Sequence, residues 1–210
     1  MADFNSLLDG YRRFREADWS RQRERWTRLA EAQSPKVMVI ACSDSRVDPA
    51  TIFDASPGEM FVVRNVANLV PPFEEGGGRH GVSAALEFAV TQLEVPEIVV
   101  MGHGQCGGVD ASVSRRFDHA APGAGGFIAH WIDLLDEARD EIVRRLGESA
   151  EARHALELET VRVSLRNLRS FPPVAEREAD GRLTLHGAYF AISDGRLHLL
   201  DEASGRFAPA

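Results

Sequence analysis

Apolar residues fall along this chain in blocks, and the spacing inside each block separates strands from helices. Three short apolar runs stand in the first half: "KVMVIAC" at 36–42, "EMFVVRN" at 59–65 and "EIVVMGH" at 97–103. Short continuous runs of this kind predict strands covered on both faces. Between the second and third, "GVSAALEFAVTQL" (81–93) has helical periodicity, as do "FIAHWIDLLDEARDEIVRRL" (127–146) and "EARHALELETVRVSLRNLRSF" (151–171). The chain ends in "RLTLHGAYFAI", a turn "SDG" and "RLHLLDE", the pattern of a hairpin. Strands alternating with helices predict an α/β fold with a mainly parallel sheet. "PPFEEGGGRHG" (71–81) and "DHAAPGAGG" (118–126) read as surface loops by composition.

Ahead of the first strand, residues 6–32 carry Leu7, Leu8, Tyr11, Phe14, Trp19, Trp26 and Leu29 among Arg and Glu, spaced for one or two amphipathic helices. Such large apolar side chains pack either on the protein's own core or on a second subunit. The 210 residues suit a single domain with a substantial core.

Charge narrows the partners. Asp and Glu outnumber Lys and Arg 32 to 24, a net charge of -8, which argues against a nucleic-acid footprint. No apolar stretch approaches the roughly 18 residues of a membrane span. The arginines near the start are interleaved with Asp3, Asp9, Glu16, Asp18 and Glu24, unlike a transit peptide, and no secretory pattern precedes them. A cytoplasmic protein is expected. Lys36, the only lysine, sits beside Pro35 in a turn and is an unpromising Schiff-base candidate.

Candidate chemistry lies at two strand ends. The only two cysteines are Cys42, ending the first strand in "IACSDSR", and Cys106, following the third in "GHGQCGG" with His103. Sites in parallel α/β sheets gather at the carboxyl ends of strands. If those two strands are neighbours, Cys42, His103 and Cys106 converge. Two thiolates and an imidazole are good zinc ligands, and three protein ligands leave the open position of a catalytic site. Plainer readings exist. Either cysteine could be core, and "SDS" could be turn residues with Asp48 capping a short helix begun by Pro49. Gly102, Gly104 and Gly107 also spell G-x-G-x-x-G after a strand. The dinucleotide fingerprint needs a second strand ending in an acid about 20 residues on, where this chain has a Gly/Pro loop and a helix.

"CSDSR" (42–46) with "GHGQCGG" (102–108) resembles β-class carbonic anhydrase, whose signature is C-x-D-x-R followed by H-x-x-C. "GEMFVVRNVANLVPPFE", "SAALEFAV" and "LHGAYF" extend the resemblance over nearly the whole chain. Gly104 departs from it, because many members carry Ser or Thr there. The resemblance implies a sheet of order 2-1-3-4 with an added antiparallel edge strand, in one domain over 1–210. Residues 1–34 would form a helical arm reaching over a partner in a homodimer or dimer of dimers. It implies one zinc per chain on Cys42, His103 and Cys106, and an aspartate–arginine pair in Asp44 and Arg46. Gln33, Phe61, Phe88 and the Gly107 N–H would contact substrate in a cleft at the subunit interface. The reaction implied is reversible hydration of CO2 to bicarbonate and a proton by a zinc-bound hydroxide. Asp44 would take its hydrogen and turn its lone pair towards CO2. With two thiolates on the metal, activity is expected to rise towards alkaline pH. CS2 or COS hydrolysis on the same ligands, and a non-catalytic zinc module sensing redox state or binding a protein, are the alternatives. Two subtypes exist in the family, one of which closes Asp onto zinc when bicarbonate fills a second pocket built on a tryptophan, an arginine and a tyrosine. Val39, Arg64 and either Tyr189 or Phe190 fall at those positions, so the open subtype is expected.

Overall fold

The computed structural model describes residues 3–76 and 80–210, so part of the expected loop at 71–81 lies outside the described residues. The chain divides into two compact units, 1–34 and 35–210.

Unit 35–210 is built on a six-stranded sheet of order β2-β1-β3-β4-β5-β6. Its strands are β1 (Val37–Cys42), β2 (Met60–Asn65), β3 (Glu97–His103), β4 (Thr184–Ala191), β5 (Arg196–Asp201) and β6 (Arg206–Pro209). The first four are parallel, and β5 and β6 are antiparallel. One antiparallel edge strand was expected and two are present. The second, "RFAP", is four residues long and ends in proline, too short to show a period.

β1 and β3 are neighbours, with Ala41 opposite Met101. Both sit inside the sheet, which explains their unbroken apolar runs. Met38, Ile40, Ile98 and Val100 bury into a core on one face; Val39, Ala41 and Met101 bury on the other. Each Val, Ile and Met among them contributes about 1.5–3 kcal/mol by leaving water.

In chain order the helices are α1 (Phe4–Arg13), α2 (Trp19–Arg21) and α3 (Arg23–Glu31) in the first unit. The second unit holds α4 (Pro49–Ile52), α5 (Gly81–Glu87), α6 (Gly107–Val113), α7 (Gly126–Ile132), α8 (Asp136–Leu146), α9 (Ala150–Leu168) and α10 (Pro172–Ala179). α9 starts where Ser149 accepts from the Ala152 N–H at 3.1 Å. It lies directly on β3, since a Cβ on Gly102 would sit 2.8 Å from the Val161 side chain and 3.3 Å from the Glu157 carbonyl. The expected helix at 127–146 is broken by a 3-10 turn at Asp133–Leu135. α6 and α10 were not expected. α6 opens on two glycines, poor helix formers, and is held by burial of Val109 and Val113 beside Cys106.

The first unit is helical from Phe4 to Glu31, with a π-turn at Phe14–Asp18 and a break at Gln22. Three of its aromatics, Phe14, Trp19 and Trp26, find partners within it. Phe14 meets Trp26 edge-to-face at 5.6 Å, and the Arg15 guanidinium lies 4.2 Å from the Trp19 ring. Phe4, Leu7 and Tyr11 are exposed.

Candidate metal centre

Cys42 ends β1, His103 ends β3, and Cys106 sits in the short loop before α6. Because β1 and β3 are paired, these ends lie side by side. The ligand atoms of the three residues are within 4.8 Å of one another, and all three are buried. The two sulfurs are 4.0 Å apart and both cysteines are free. Zn–S bonds of about 2.3 Å in tetrahedral geometry place two sulfurs about 3.8 Å apart, so the spacing suits that ion.

The imidazole is oriented for the same purpose. His103 Nδ1 lies 2.8 Å from the Gly104 carbonyl, which can only accept, so Nδ1 carries the hydrogen. Nε2 is buried without a hydrogen-bond partner. An orphaned ring nitrogen facing two thiols is a costly arrangement for a core and an ordinary one for a metal site. The thiols are primed as well. The Cys106 thiol first, and the neighbouring His103 ring next, hold the Cys42 pKa down to about 4 against the effect of burial. The hydrogen bond between the two sulfurs, together with burial, raises that of Cys106. Metals bind the thiolate, and Cys42 is the sulfur of the pair that its neighbours favour in that form.

Asp44 and Arg46 follow on the loop after β1. Arg46 donates from Nε to Asp44 Oδ1 at 2.9 Å and from Nη2 to Oδ2 at 2.7 Å, and its backbone N–H reaches Oδ1 at 3.0 Å. The Arg46 side chain is the main reason the Asp44 carboxyl sits well below the usual carboxylate range. A carboxylate offers about four lone-pair sites, and three are taken, leaving one acceptor site on Oδ2. Arg64 fastens the loop from β2, donating to the carbonyls of Cys42 at 2.9 Å and Asp44 at 2.6 Å. The plainer reading of this segment also holds in part: Asp48 caps α4 through the Thr51 N–H at 3.0 Å, with Pro49 at its first turn.

Of the other expected site residues, Gly107 adjoins the ligand Cys106, whereas Phe61 and Phe88 lie away from the centre. Gly107 is exposed and opens α6, and a Cβ built there meets nothing within 4 Å, so space lies above its backbone. Phe61 pairs in register with Met38, whereas Cys42 pairs with Asn65. Four residues of strand put Phe61 roughly 13 Å from the Cys42 end. Phe88 stays with Phe61, ring centroids 6.0 Å apart, and is 43% exposed. Gln33 is exposed on the segment after α3, in the first unit.

Two neighbours of the centre escaped the sequence reading. Gln105, at φ 56°, turns its carbonyl to Arg46 Nη2 at 3.0 Å. Glu157 is buried on α9, accepting from the Cys106 N–H at 3.3 Å and from the Tyr189 hydroxyl at 3.0 Å. Burial and the Glu157 charge raise the Tyr189 pKa, so that hydroxyl remains a donor. The available signal was a lone acid among the buried α9 positions Ala152, Leu156, Thr160 and Val161.

Comparison with known proteins points one way. The carbonic anhydrase family model matches residues 37–197. A carbonic anhydrase of Pseudomonas aeruginosa is 40% identical over 202 residues, covering 96% of this chain and 89% of the relative. Beta carbonic anhydrase 3 of Arabidopsis thaliana is 36% identical over 196 residues, 92% of this chain and 75% of that one. Among solved structures, the beta-carbonic anhydrase CcaA superposes with a TM-score of 0.89 at 29% identity, covering 98% of this chain and 91% of that one. A tetrameric beta-carbonic anhydrase of Sordaria macrospora gives 0.79 at 27% identity, with 94% and 96% covered.

Proposed function

The chain belongs to the β-class carbonic anhydrases, a family of lyases, and from that membership we propose that it catalyses reversible hydration of CO2 to bicarbonate and a proton. The observation that carries this reading is the convergence of Cys42, His103 and Cys106 with the His103 Nε2 unpartnered. These three residues would hold one zinc ion, which supplies Lewis-acid activation of water at neutral pH. The rest of the work falls to the chain. Asp44, kept ionised by Arg46, has one lone-pair site left on Oδ2. That site accepts the hydrogen of the attacking oxygen and turns a lone pair towards carbon. Arg46 holds the carboxylate by two parallel charge-assisted bonds, so it does not rotate away. The Gly107 N–H, at the open start of α6, would donate to a substrate oxygen.

We assign Gln33, Phe61 and Phe88 to the substrate cleft of a partner subunit. Phe61 and Phe88 lie at the wrong end of β2 to serve their own centre, yet Phe88 and Val62 are exposed there. β2 is also a sheet edge, pairing only with β1. A homo-oligomer, with the 1–34 arm packed on the partner, accounts for these exposed groups. The net charge of -8 sets nucleic acid aside, and no helix among the described residues is long and apolar enough to cross a membrane. Two free cysteines suit the reducing cytoplasm, where we place the protein.

Stopped-flow CO2 hydration on protein of measured zinc content tests the reading. Activity that tracks zinc supports it. Zinc-replete protein with no hydration above buffer overturns it, and turnover of CS2 by that sample would name the alternative.

A further inference from the structure

We propose that Glu157 is a positioning residue of the metal centre, holding the main chain of Cys106 so that its sulfur stays beside Cys42 and His103. The inference rests on reading Cys106 as a metal ligand. Glu157 is the only buried acid among the described residues. A buried carboxylate costs several kcal/mol unless it is well bonded, and a leucine would pack the same space without that cost. Its bonds point to the reason for keeping it. Oε1 takes the Cys106 N–H at 3.3 Å, and Oε2 takes the Tyr189 hydroxyl at 3.0 Å, with His154 Nδ1 at 3.5 Å.

Cys106 needs such an anchor. It is the N-cap of α6, with extended φ and ψ of -68° and 122°, outside both the sheet ladder and the helix. Gln105 before it has a positive φ, and Gly107 follows it. Glu157 supplies the acceptor from a rigid base, because α9 is nineteen residues long and rests on β3 at Gly102. Tyr189, on the strand next to β3, fixes the carboxylate from behind. The two loops of the centre thus have opposite anchors: Arg64 donates to carbonyls after β1, and Glu157 accepts from an N–H after β3.

The test uses Glu157→Ala, Glu157→Gln and Tyr189→Phe in the full zinc-loaded chain. Three quantities are read: the rate of zinc release to a chromophoric chelator, the thiolate-to-metal absorption of the cobalt(II) form, and melting of the metal-free protein. Outer partners of metal ligands typically tune metal affinity by roughly 10–100-fold, so Glu157→Ala should release zinc faster by that order. Glu157→Gln keeps the volume but offers a weaker, neutral acceptor, and should release zinc roughly 3–10-fold faster with metal-free melting unchanged. Tyr189→Phe removes the hydroxyl that steadies the carboxylate and should release zinc faster than wild type, though less than Glu157→Ala. Zinc release and cobalt absorption unaltered in Glu157→Gln overturn the proposal. So does a fall in metal-free melting that matches the loss of zinc, which would mark a purely structural role. If Glu157→Ala does not fold, Glu157→Gln decides alone by the same readings. Zinc content of the wild type is measured first: a zinc-free wild type removes the ligand reading and this inference together, whereas zinc-replete wild type with unaffected variants removes this inference only.

Discussion

Arg46 Nη2 donates to the Gln105 backbone carbonyl at 3.0 Å, so the guanidinium that grips Asp44 also ties the loop after β1 to the loop after β3. The two loops carrying the metal ligands are therefore not independent. One planar cation spans them, and its fork geometry matters as much as its charge.

Arg46→Lys should therefore fail almost as badly as Arg46→Ala. A lysine ammonium cannot reach both Asp44 oxygens and the Gln105 carbonyl in one geometry. Losing hydrogen bonds to charged groups, at about 1.5–3 kcal/mol, converts to roughly 10–150-fold in hydration rate if the loss is expressed at the transition state. Stopped-flow kcat on zinc-replete Arg46→Lys checks this. A rate within twofold of wild type would show that charge alone suffices.

Asp44 carries the matching prediction. Its pKa is depressed, first by the Arg46 side chain, so its stabilisation is fully present above the unfolded value of about 3.9. That contribution is lost only as pH falls below about 4 towards the folded value. The Asp44 carboxyl carbon, followed by NMR, should thus hold an unchanged shift from pH 8 to pH 5. Asp44→Asn should retain zinc yet lose about 100-fold in hydration rate, the scale of removing one preorganised hydrogen bond at the reacting oxygen. Titration of Asp44 near pH 5, or an unchanged rate in the variant, contradicts the pairing as described.

Metal removal should show in stability as well as rate. Cys106→Ser replaces a thiolate with a hydroxyl, a poor zinc ligand, and should leave zinc content well below one per chain. Zinc at about 100 times its Kd adds about 2.7 kcal/mol to the folded state. For a chain of this length that is roughly 5–10 °C in Tm. Calorimetry with and without a chelator measures it, and an identical Tm in both would mean that zinc does not bind the folded chain.

Gly104 is where this chain departs from many family members, and its neighbour explains what a larger residue would meet. A Cβ there would lie 3.0 Å from the Tyr189 hydroxyl, the group that donates to Glu157. Gly104→Ala should cost about 1–3 kcal/mol through overpacking. In a Tyr189→Phe background the same change should cost less. Equal costs in the two backgrounds would show that the hydroxyl is not what Gly104 accommodates.

Much of the fold was legible because β1 and β3 are buried on both faces, and a strand so placed cannot hide its apolar run. The ligands were legible because each stands at the end of such a run. β6 and α6 were not, since a four-residue edge strand shows no period and a helix opening on two glycines is held by packing alone. Glu157 was illegible for a different reason. It lies 51 positions from Cys106, and only the seating of α9 on β3 makes them neighbours. The separation of Phe61 from Cys42 along paired strands likewise emerged from register.

Bicarbonate is expected to leave the Asp44 loop open. In family members that close, bicarbonate sits in a second pocket on a tryptophan, an arginine and a tyrosine. Here the first position is Val39, buried between β2 and β3 and without any side-chain donor. The second, Arg64, is committed: Nε to the Cys42 carbonyl, Nη2 to the Asp44 carbonyl and Nη1 to Asp48 Oδ1 at 3.3 Å. Drawing it to an anion would break the bonds that shape the Asp44 loop. Of the two candidates for the third position, the Tyr189 hydroxyl is given to Glu157, and Phe190 has none. A bicarbonate ion at this place would thus lack donors, and Asp44 would keep its hold on Arg46. Dehydration kinetics against bicarbonate should accordingly follow a simple saturation curve, with a Hill coefficient close to one and no shut-off at high concentration. Steeply cooperative inhibition, or a crystal grown near neutral pH with Asp44 on the metal, would show that the loop closes despite these bonds.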